Sequence, residues 1–156
     1  MVKKNICVFC GASSGSSPDF ITLAEKIGKV IGENNFNLIY GAGSTGLMGA
    51  CAKSALQSGA KVFGVMPKFL ARIEKPLDGI NTRFTTTMRS RKAIMYKKAS
   101  LFIILPGGIG TLDECVEVLT LIQLKQIKEK KIFVYFVELL QDPHLTSLLY
   151  QKKLVK

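Results

Sequence analysis

The chain has 156 residues, 47% of them hydrophobic, with 22 Lys and Arg against 11 Asp and Glu for a net charge of +11. That is the length of one domain, residues 1–156, with enough apolar content to bury a core, and it excludes disorder as a whole-chain description. No apolar run reaches the ~20 residues of a membrane-spanning helix. The apolar stretch after Lys3 and Lys4 is too short for a signal peptide, so the expected compartment is the cytoplasm.

Asn5–Cys10 (NICVFC) reads as a first strand. Ser17-Pro18 follows as an N-cap with proline at the first helical position. Phe20, Ala24, Ile27 and Ile31 then recur at helical spacing. Asn37–Tyr40 is a second strand, and Leu47–Ser58 an alanine-rich helix ended by Gly59 at C′. Lys61–Met66 is a third strand stopped by Pro67, and Ile80–Thr85 a weaker fourth. Met88–Lys98 is helical. Leu101–Leu105 is a continuous apolar run, the pattern of a parallel strand buried on both faces. Leu112–Gln126 is an amphipathic helix, Lys131–Val137 a sixth strand, and the tail from Pro143 a short basic helix. Strands alternating with helices predict an α/β fold: a Rossmann-like three-layer α/β/α sandwich on a mostly parallel sheet. In such sheets ligands bind beyond the carboxyl ends of the strands.

Charge and cysteine narrow the chemistry. Residues 68–98 carry nine basic and two acidic groups, whereas 99–124 carry three acids and no base. A basic surface attracts anions, either nucleic acid or a phosphorylated small molecule. Cys7 and Cys10 have C-x-x-C spacing, but three residues apart on a strand they point to opposite faces. A shared metal is therefore not expected, and the single histidine, His144, is far along the chain. Cys7, Cys10, Cys51 and Cys115 read as buried, reduced thiols.

Three strand ends are glycine-rich: Gly11 to Ser17, Gly41 to Gly46, and Pro106 to Thr111. Glycine lets a backbone approach a ligand, and the following helix N-terminus offers free N–H groups and the positive end of a dipole. Three such loops in one small domain suggest phosphate cradles. The second, Gly41-Ala42-Gly43-Ser44-Thr45-Gly46, matches G-x-G-x-x-G between a strand and a helix. The carboxylate that would bind the ribose of NAD is missing, since the next strand ends Met66-Pro67-Lys68. No loop has the P-loop pattern either. What remains is a site for one phosphate, as in a nucleoside monophosphate. The third loop runs into Thr111-Leu112-Asp113-Glu114, which reads either as a capping box or as a carboxylate beside the cradle, able to handle a ribose or a water. The Met88-Arg89-Ser90-Arg91-Lys92 cluster opens a helix with three cations, against the dipole, and an anion in front of them would remove the conflict.

Phe9-Cys-Gly-Ala-Ser-Ser14, Tyr40-Gly-Ala-Gly-Ser-Thr-Gly-Leu-Met-Gly49, Met88-Arg-Ser-Arg-Lys92 and Pro106-Gly-Gly-Ile-Gly-Thr-Leu-Asp-Glu114 together resemble the Lonely Guy (LOG) family, over residues 5 to 145. Many of its members are labelled lysine decarboxylase-like. The resemblance implies a cytokinin riboside 5′-monophosphate phosphoribohydrolase, which splits N6-modified AMP, or AMP itself, into free base and ribose 5-phosphate. It implies no cofactor, no metal and a homodimer with active sites near the subunit interface. It maps the catalytic pair onto Arg91 and Glu114 and the phosphate loop onto Gly107, Gly108, Ile109, Gly110 and Thr111. Further substrate contacts fall on Ser14, Gly43, Glu74, Met88, Lys92, Leu112, Asp113 and Thr120. The family often has His-Glu where this chain has Arg89-Ser90, and Asp142-Pro143-His144-Leu145 resembles the start of its last helix, with a shortened, lysine-rich remainder.

The chemistry fits those residues. N-glycoside cleavage passes through an oxocarbenium-like ribose, which a carboxylate can stabilise while it positions or deprotonates water. A non-catalytic nucleotide carrier or sensor on the same fold is the alternative. Nucleic-acid binding is disfavoured, because no aromatic cluster sits among the positive charges and Trp is absent. A pyridoxal-dependent decarboxylase has least support, because no lysine stands out as a Schiff-base partner. A prenyl pocket would need apolar residues beside the adenine, and its candidates Met48, Met88 and Met95 are just as easily core.

Overall fold

The apolar runs become the strands of one sheet in the computed structural model, which describes residues 3–135. The strands are β1 (Asn5–Phe9), β2 (Asn37–Tyr40), β3 (Val62–Pro67), β4 (Asn81–Thr85), β5 (Leu101–Ile104) and β6 (Ile132–Val134). The helices among the described residues are α1 (Pro18–Glu33), α2 (Gly46–Gln57), α3 (Met88–Lys98) and α4 (Ile109–Gln123), with a 3-10 turn at Leu70–Arg72. The strand order is β4-β3-β2-β1-β5-β6, and every adjacent pair is parallel.

Alternation along β1 divides the core. Ile6 and Val8 pack with Ala24 and Ile31 of α1 and Leu47, Cys51 and Ala55 of α2. Cys7 and Phe9 pack on the other face with Met95 and Tyr96 of α3 and Cys115 and Val118 of α4. Cys7 and Cys10 thus lie in opposite cores, as their spacing predicts, and all four cysteines are free and buried. The chain steps outward from β1 to β4 and then returns to the other side of β1 as β5. That reversal opens a crevice at the carboxyl ends of β1 and β5. There the two loops touch: Gly11 N–H donates to the Pro106 carbonyl at 3.0 Å.

Helix ends follow local chemistry. Ser17 caps α1 by accepting from Asp19 N–H, with Pro18 in the first turn. Asn35, Gly59 and Lys125 take positive φ just past α1, α2 and α4. Each ending carries the paired C-terminal bonds of a Schellman motif, such as Asn35 N–H to Gly32 O and Phe36 N–H to Ile31 O. At Lys125 this ending stops α4 at Gln123, three residues before the expected end.

The start of α4 corrects the sequence reading. The helix begins at Ile109 with Gly108 as its N-cap, not at Leu112 with Thr111 as cap. Thr111 is 3% exposed, its side chain turned in over Gly107. Glu114 is therefore too far along the helix to close a capping box. The third strand also takes in Pro67 as its last residue. Phe136 and Val137 of the expected sixth strand, His144 and the expected helix from Pro143 lie outside the described residues. No helix among the described residues is long and apolar enough to cross a membrane.

α1 and α2 meet at two glycines. A Cβ on Gly28 would strike the Cys51 carbonyl of α2, and one on Gly32 would strike Ser58. Alanine in a helix interior ordinarily stabilises by about 1 kcal/mol over glycine. At Gly28 the sign should reverse: Gly28→Ala should destabilise the protein by about 1–3 kcal/mol through overpacking. A urea midpoint equal to or above that of the wild type would contradict the close helix contact.

Candidate active site

The first turn of α3 supplies the cations. Thr87 is its N-cap and Ser90 its third residue; each side chain bonds the other's backbone N–H in a capping box. Sequence reading treated Ser90 only as a departure from the family pattern, but it has this structural task. The cap aims Arg91 inward, where it is 6% exposed. Its Nε donates to the Val65 carbonyl at 3.0 Å and Nη2 to the Gly41 carbonyl at 3.5 Å. Its Nη1 lies 3.3 Å from Glu114 Oε1 and 3.9 Å from Met88 Sδ. The guanidinium thus ties β3, the loop after β2 and α4 together.

Glu114 is 7% exposed. Burial pushes its carboxyl up to about 7, against the pull of Arg91 and Lys92, with Asp113 and Glu117 adding to the rise. The group is poised to gain or lose a proton near neutrality. Cys7, which faces the same pair from β1, is held protonated by burial first and by Glu114 second.

The second glycine loop proves to be built for protein groups. A Cβ on Gly41 would collide with the Arg91 guanidinium, and one on Gly43 with the Glu74 carboxylate. Gly46, at φ +58, sits against the Ala12 backbone. The first loop closes the α2 N-terminus: Leu47 N–H donates to Ser13 O at 3.3 Å and Met48 N–H to Gly11 O at 3.2 Å. The G-x-G-x-x-G pattern here admits two side chains and a neighbouring loop. The expectation of a phosphate cradle at each loop is corrected accordingly.

The third loop differs. Gly107 is needed for space, since a Cβ would strike Thr111. Gly108 and Gly110 have open space where a Cβ would be, and neither has a positive φ. Of fourteen glycines they alone have no reason within the described protein. α4 also has no side-chain cap, whereas side chains cap α1 and α3. Its first amides open to solvent beside Gly108, Ile109 and Gly110, all exposed.

Lys92 faces α4 as well. Its Nζ is 2.8 Å from Asp113 Oδ2 and is paired also with Glu117 Oε2. Burial alone would lower its pKa, but the two carboxylates outweigh it and the net shift is upward. The anions that relieve the α3 cluster are therefore carboxylates of the protein itself. Glu117, like the partner carbonyls of Val65 and Gly41, escaped sequence reading. Its i, i+3 spacing from Glu114 was the available signal.

The other expected residues divide. Glu74 stands against Gly43 with a buried Oε1 that has no hydrogen-bond partner. Met88 is 36% exposed beside Arg91, and Met48 packs near Gly41 and Gly43, whereas Met95 is core. Leu112 is partly buried and Ser14 is exposed on the first loop. Thr120 is not brought to the pair: it is exposed, six residues beyond Glu114, and its hydroxyl bonds the Val116 carbonyl. A groove lined by Arg89, Tyr96, Lys97, Glu117, Lys128 and Lys130 lies between α3 and α4, outside the Arg91–Glu114 pair.

Known proteins resemble this arrangement. The fold is close to that of a molybdenum cofactor binding protein from Rippkaea orientalis, with TM-score 0.74 and 21% identity over 95% of this chain and 85% of that one. The molybdenum cofactor carrier protein of Chlamydomonas reinhardtii superposes with TM-score 0.68 at 18% identity, over 97% of this chain and 100% of that one. Both likenesses concern the fold alone. In sequence, the chain is 43% identical over 122 residues to the cytokinin riboside 5′-monophosphate phosphoribohydrolase LOG7 of Arabidopsis thaliana, covering 78% of this chain and 56% of the relative. It is 38% identical over 144 residues to the LOG enzyme of Oryza sativa subsp. japonica, covering 92% and 59%. The chain thus spans less than two thirds of the length of these relatives. Residues 48–150 match the family model described as "Possible lysine decarboxylase". The chain belongs to that family, and within it to the LOG group.

Proposed function

We propose that the protein is a nucleoside 5′-monophosphate phosphoribohydrolase, cleaving the N-glycosidic bond of AMP or N6-modified AMP to free base and ribose 5-phosphate. The observation that carries this reading is the buried Arg91–Glu114 pair next to an uncapped helix start whose glycines have no internal reason to be glycine. The names of the LOG relatives support it.

In this reading the phosphate sits on the amides of Gly108 to Thr111, at the positive end of α4. Side chains in a helix lean toward its N-terminus, so Glu114 reaches back toward the ribose. Its carboxylate, charged above about pH 7, stabilises the oxocarbenium-like sugar and takes a proton from the attacking water. Water oxygen bonds to the anomeric carbon as the base leaves with the bond's electron pair and gains a proton. Arg91 spends its N–H groups on Val65, Gly41 and Glu114, so its part is to orient the carboxylate. The orphaned Glu74 oxygen accepts from a ribose hydroxyl, and Met88 offers an apolar wall to the base. The distance of Thr120 from the pair, and the exposed Ile109 and Val116 on the same helix, suit completion by a second copy in a homodimer. The four reduced thiols suit the cytoplasm.

A decarboxylase is not supported. A Schiff-base lysine needs a lowered pKa, whereas Lys92 is held charged by two carboxylates, and Lys130, which burial lowers, donates to the Tyr96 carbonyl.

Incubation with AMP and isopentenyladenosine monophosphate, followed by chromatography, should yield free base and ribose 5-phosphate. Glu114→Gln keeps the acceptor for Arg91 and should fold, yet lose about 10²–10⁴-fold in rate. Bound nucleotide without free base from the wild type would favour a carrier instead. Gly110→Ala separates ligand from scaffold. Its Cβ meets no protein atom, so stability should hold or rise by up to about 1 kcal/mol. KM for the monophosphate should rise by about tenfold or more as phosphate contacts are lost. An unchanged KM would remove the loop from phosphate binding.

A further inference from the structure

The two α3 cations that face α4 are held differently. Arg91 is engaged on three sides, whereas Lys92 is divided between two carboxylates. Those carboxylates are not alike. The Asp113 side chain is 58% exposed, near the open start of α4. The Glu117 side chain is 35% exposed, and the oxygen that meets Lys92 also accepts from the Tyr96 hydroxyl at 3.1 Å. Tyr96 cannot drift: it is 3% exposed, its ring lies edge-on to Phe9 and to Phe102 at 6.1 Å from each, and its carbonyl accepts from Lys130 Nζ at 2.7 Å. Glu117 is therefore anchored by a packed aromatic cluster, whereas Asp113 is held only by an ion pair in which its own side is exposed.

We propose that Tyr96 and Glu117 form a fixed anchor for Lys92, and that Asp113 is its exchangeable partner, replaced on the ammonium by a phosphate oxygen of the incoming nucleotide. The inference rests on the phosphoribohydrolase reading, which brings a phosphomonoester to the start of α4. Exchange at Asp113 is cheap, because its side chain is the exposed partner, so the released carboxylate is solvated while the ammonium, 12% exposed, keeps Glu117 and gains the phosphate. Exchange at Glu117 would leave a partly buried carboxylate without its cation if it stayed, or break the bond from Tyr96 if it swung away. Lys92 is thus kept within reach of the phosphate at little cost in ordering. Asp113 competes with the substrate instead of binding it, which departs from the role that family resemblance assigns to it. Tyr96 is a positioning residue that acts through Glu117.

The test uses calorimetric binding of ribose 5-phosphate, with adenosine as the ligand lacking phosphate. Asp113→Asn removes the competitor and should tighten ribose 5-phosphate by about two- to fivefold. Tyr96→Phe keeps the ring and removes only the anchor, and should weaken it by about the same factor. Adenosine binding should move in neither. Both variants shifting ribose 5-phosphate in the same direction, or adenosine moving with it, would overturn the exchange while wild-type turnover of AMP left the enzyme reading intact. A wild type that neither bound ribose 5-phosphate nor released base from AMP would remove the enzyme reading and this inference with it.

Discussion

The Arg91–Glu114 pair is the constraint around which the carboxyl edge of the sheet is organised. Two opposite charges, each more than nine-tenths buried, lie 3.3 Å apart. A buried ion pair carries a desolvation cost that it recovers only with good geometry and further hydrogen bonds, and removing one partner costs about 3–5 kcal/mol. Here the further bonds come from the carbonyls of Val65 and Gly41. The pair therefore dictates its surroundings: a glycine at 41 to admit the guanidinium, a capped start of α3 to aim it, and an α4 that begins early enough to bring Glu114 opposite it. Burial leaves Glu114 with a carboxyl near neutrality despite its arginine, which is the property that makes the pair chemically useful.

Glycine serves two different purposes around this pair, and the difference separates scaffold from site. Gly41, Gly43 and Gly46 sit where a side chain would strike Arg91, Glu74 or the first loop. Gly108 and Gly110 sit where a side chain would strike nothing described in the protein. The first set shapes the walls, and the second meets nothing among the described residues, which is the space the proposed phosphate would take. The helix starts sort the same way, since α1 and α3 satisfy their first amides with side chains, α2 with carbonyls of the first loop, and α4 has no such cap.

Much of this was legible in the sequence. Continuous or alternating apolar runs placed all six strands within a residue or two over the described range, whereas the strand order that makes the crevice is not set by α/β alternation. The motif residues Arg91 and Glu114 were identified as a pair and meet in the structure. Two further things were not legible. Thr111-x-x-Glu114 has the same local spacing as a capping box, and only the tertiary contacts of Thr111 with Gly107 and of Glu114 with Arg91 reveal a different use. The unfavourable cations of α3 are answered by carboxylates from α4, with Lys92 and Asp113 twenty-one positions apart. Periodicity describes one element at a time and carries no register between two helices.

The most direct measurement is the titration of Glu114 in the free protein, by carbon NMR of labelled glutamate carboxyls, with Glu114→Gln to assign the signal. The account predicts one glutamate that is neutral in mild acid and ionises with a midpoint near 7. A midpoint at the ordinary carboxylate value of about 4.3 would mean that Arg91 or water offsets burial, and that Glu114 is a permanently charged structural group with no proton to exchange near neutral pH.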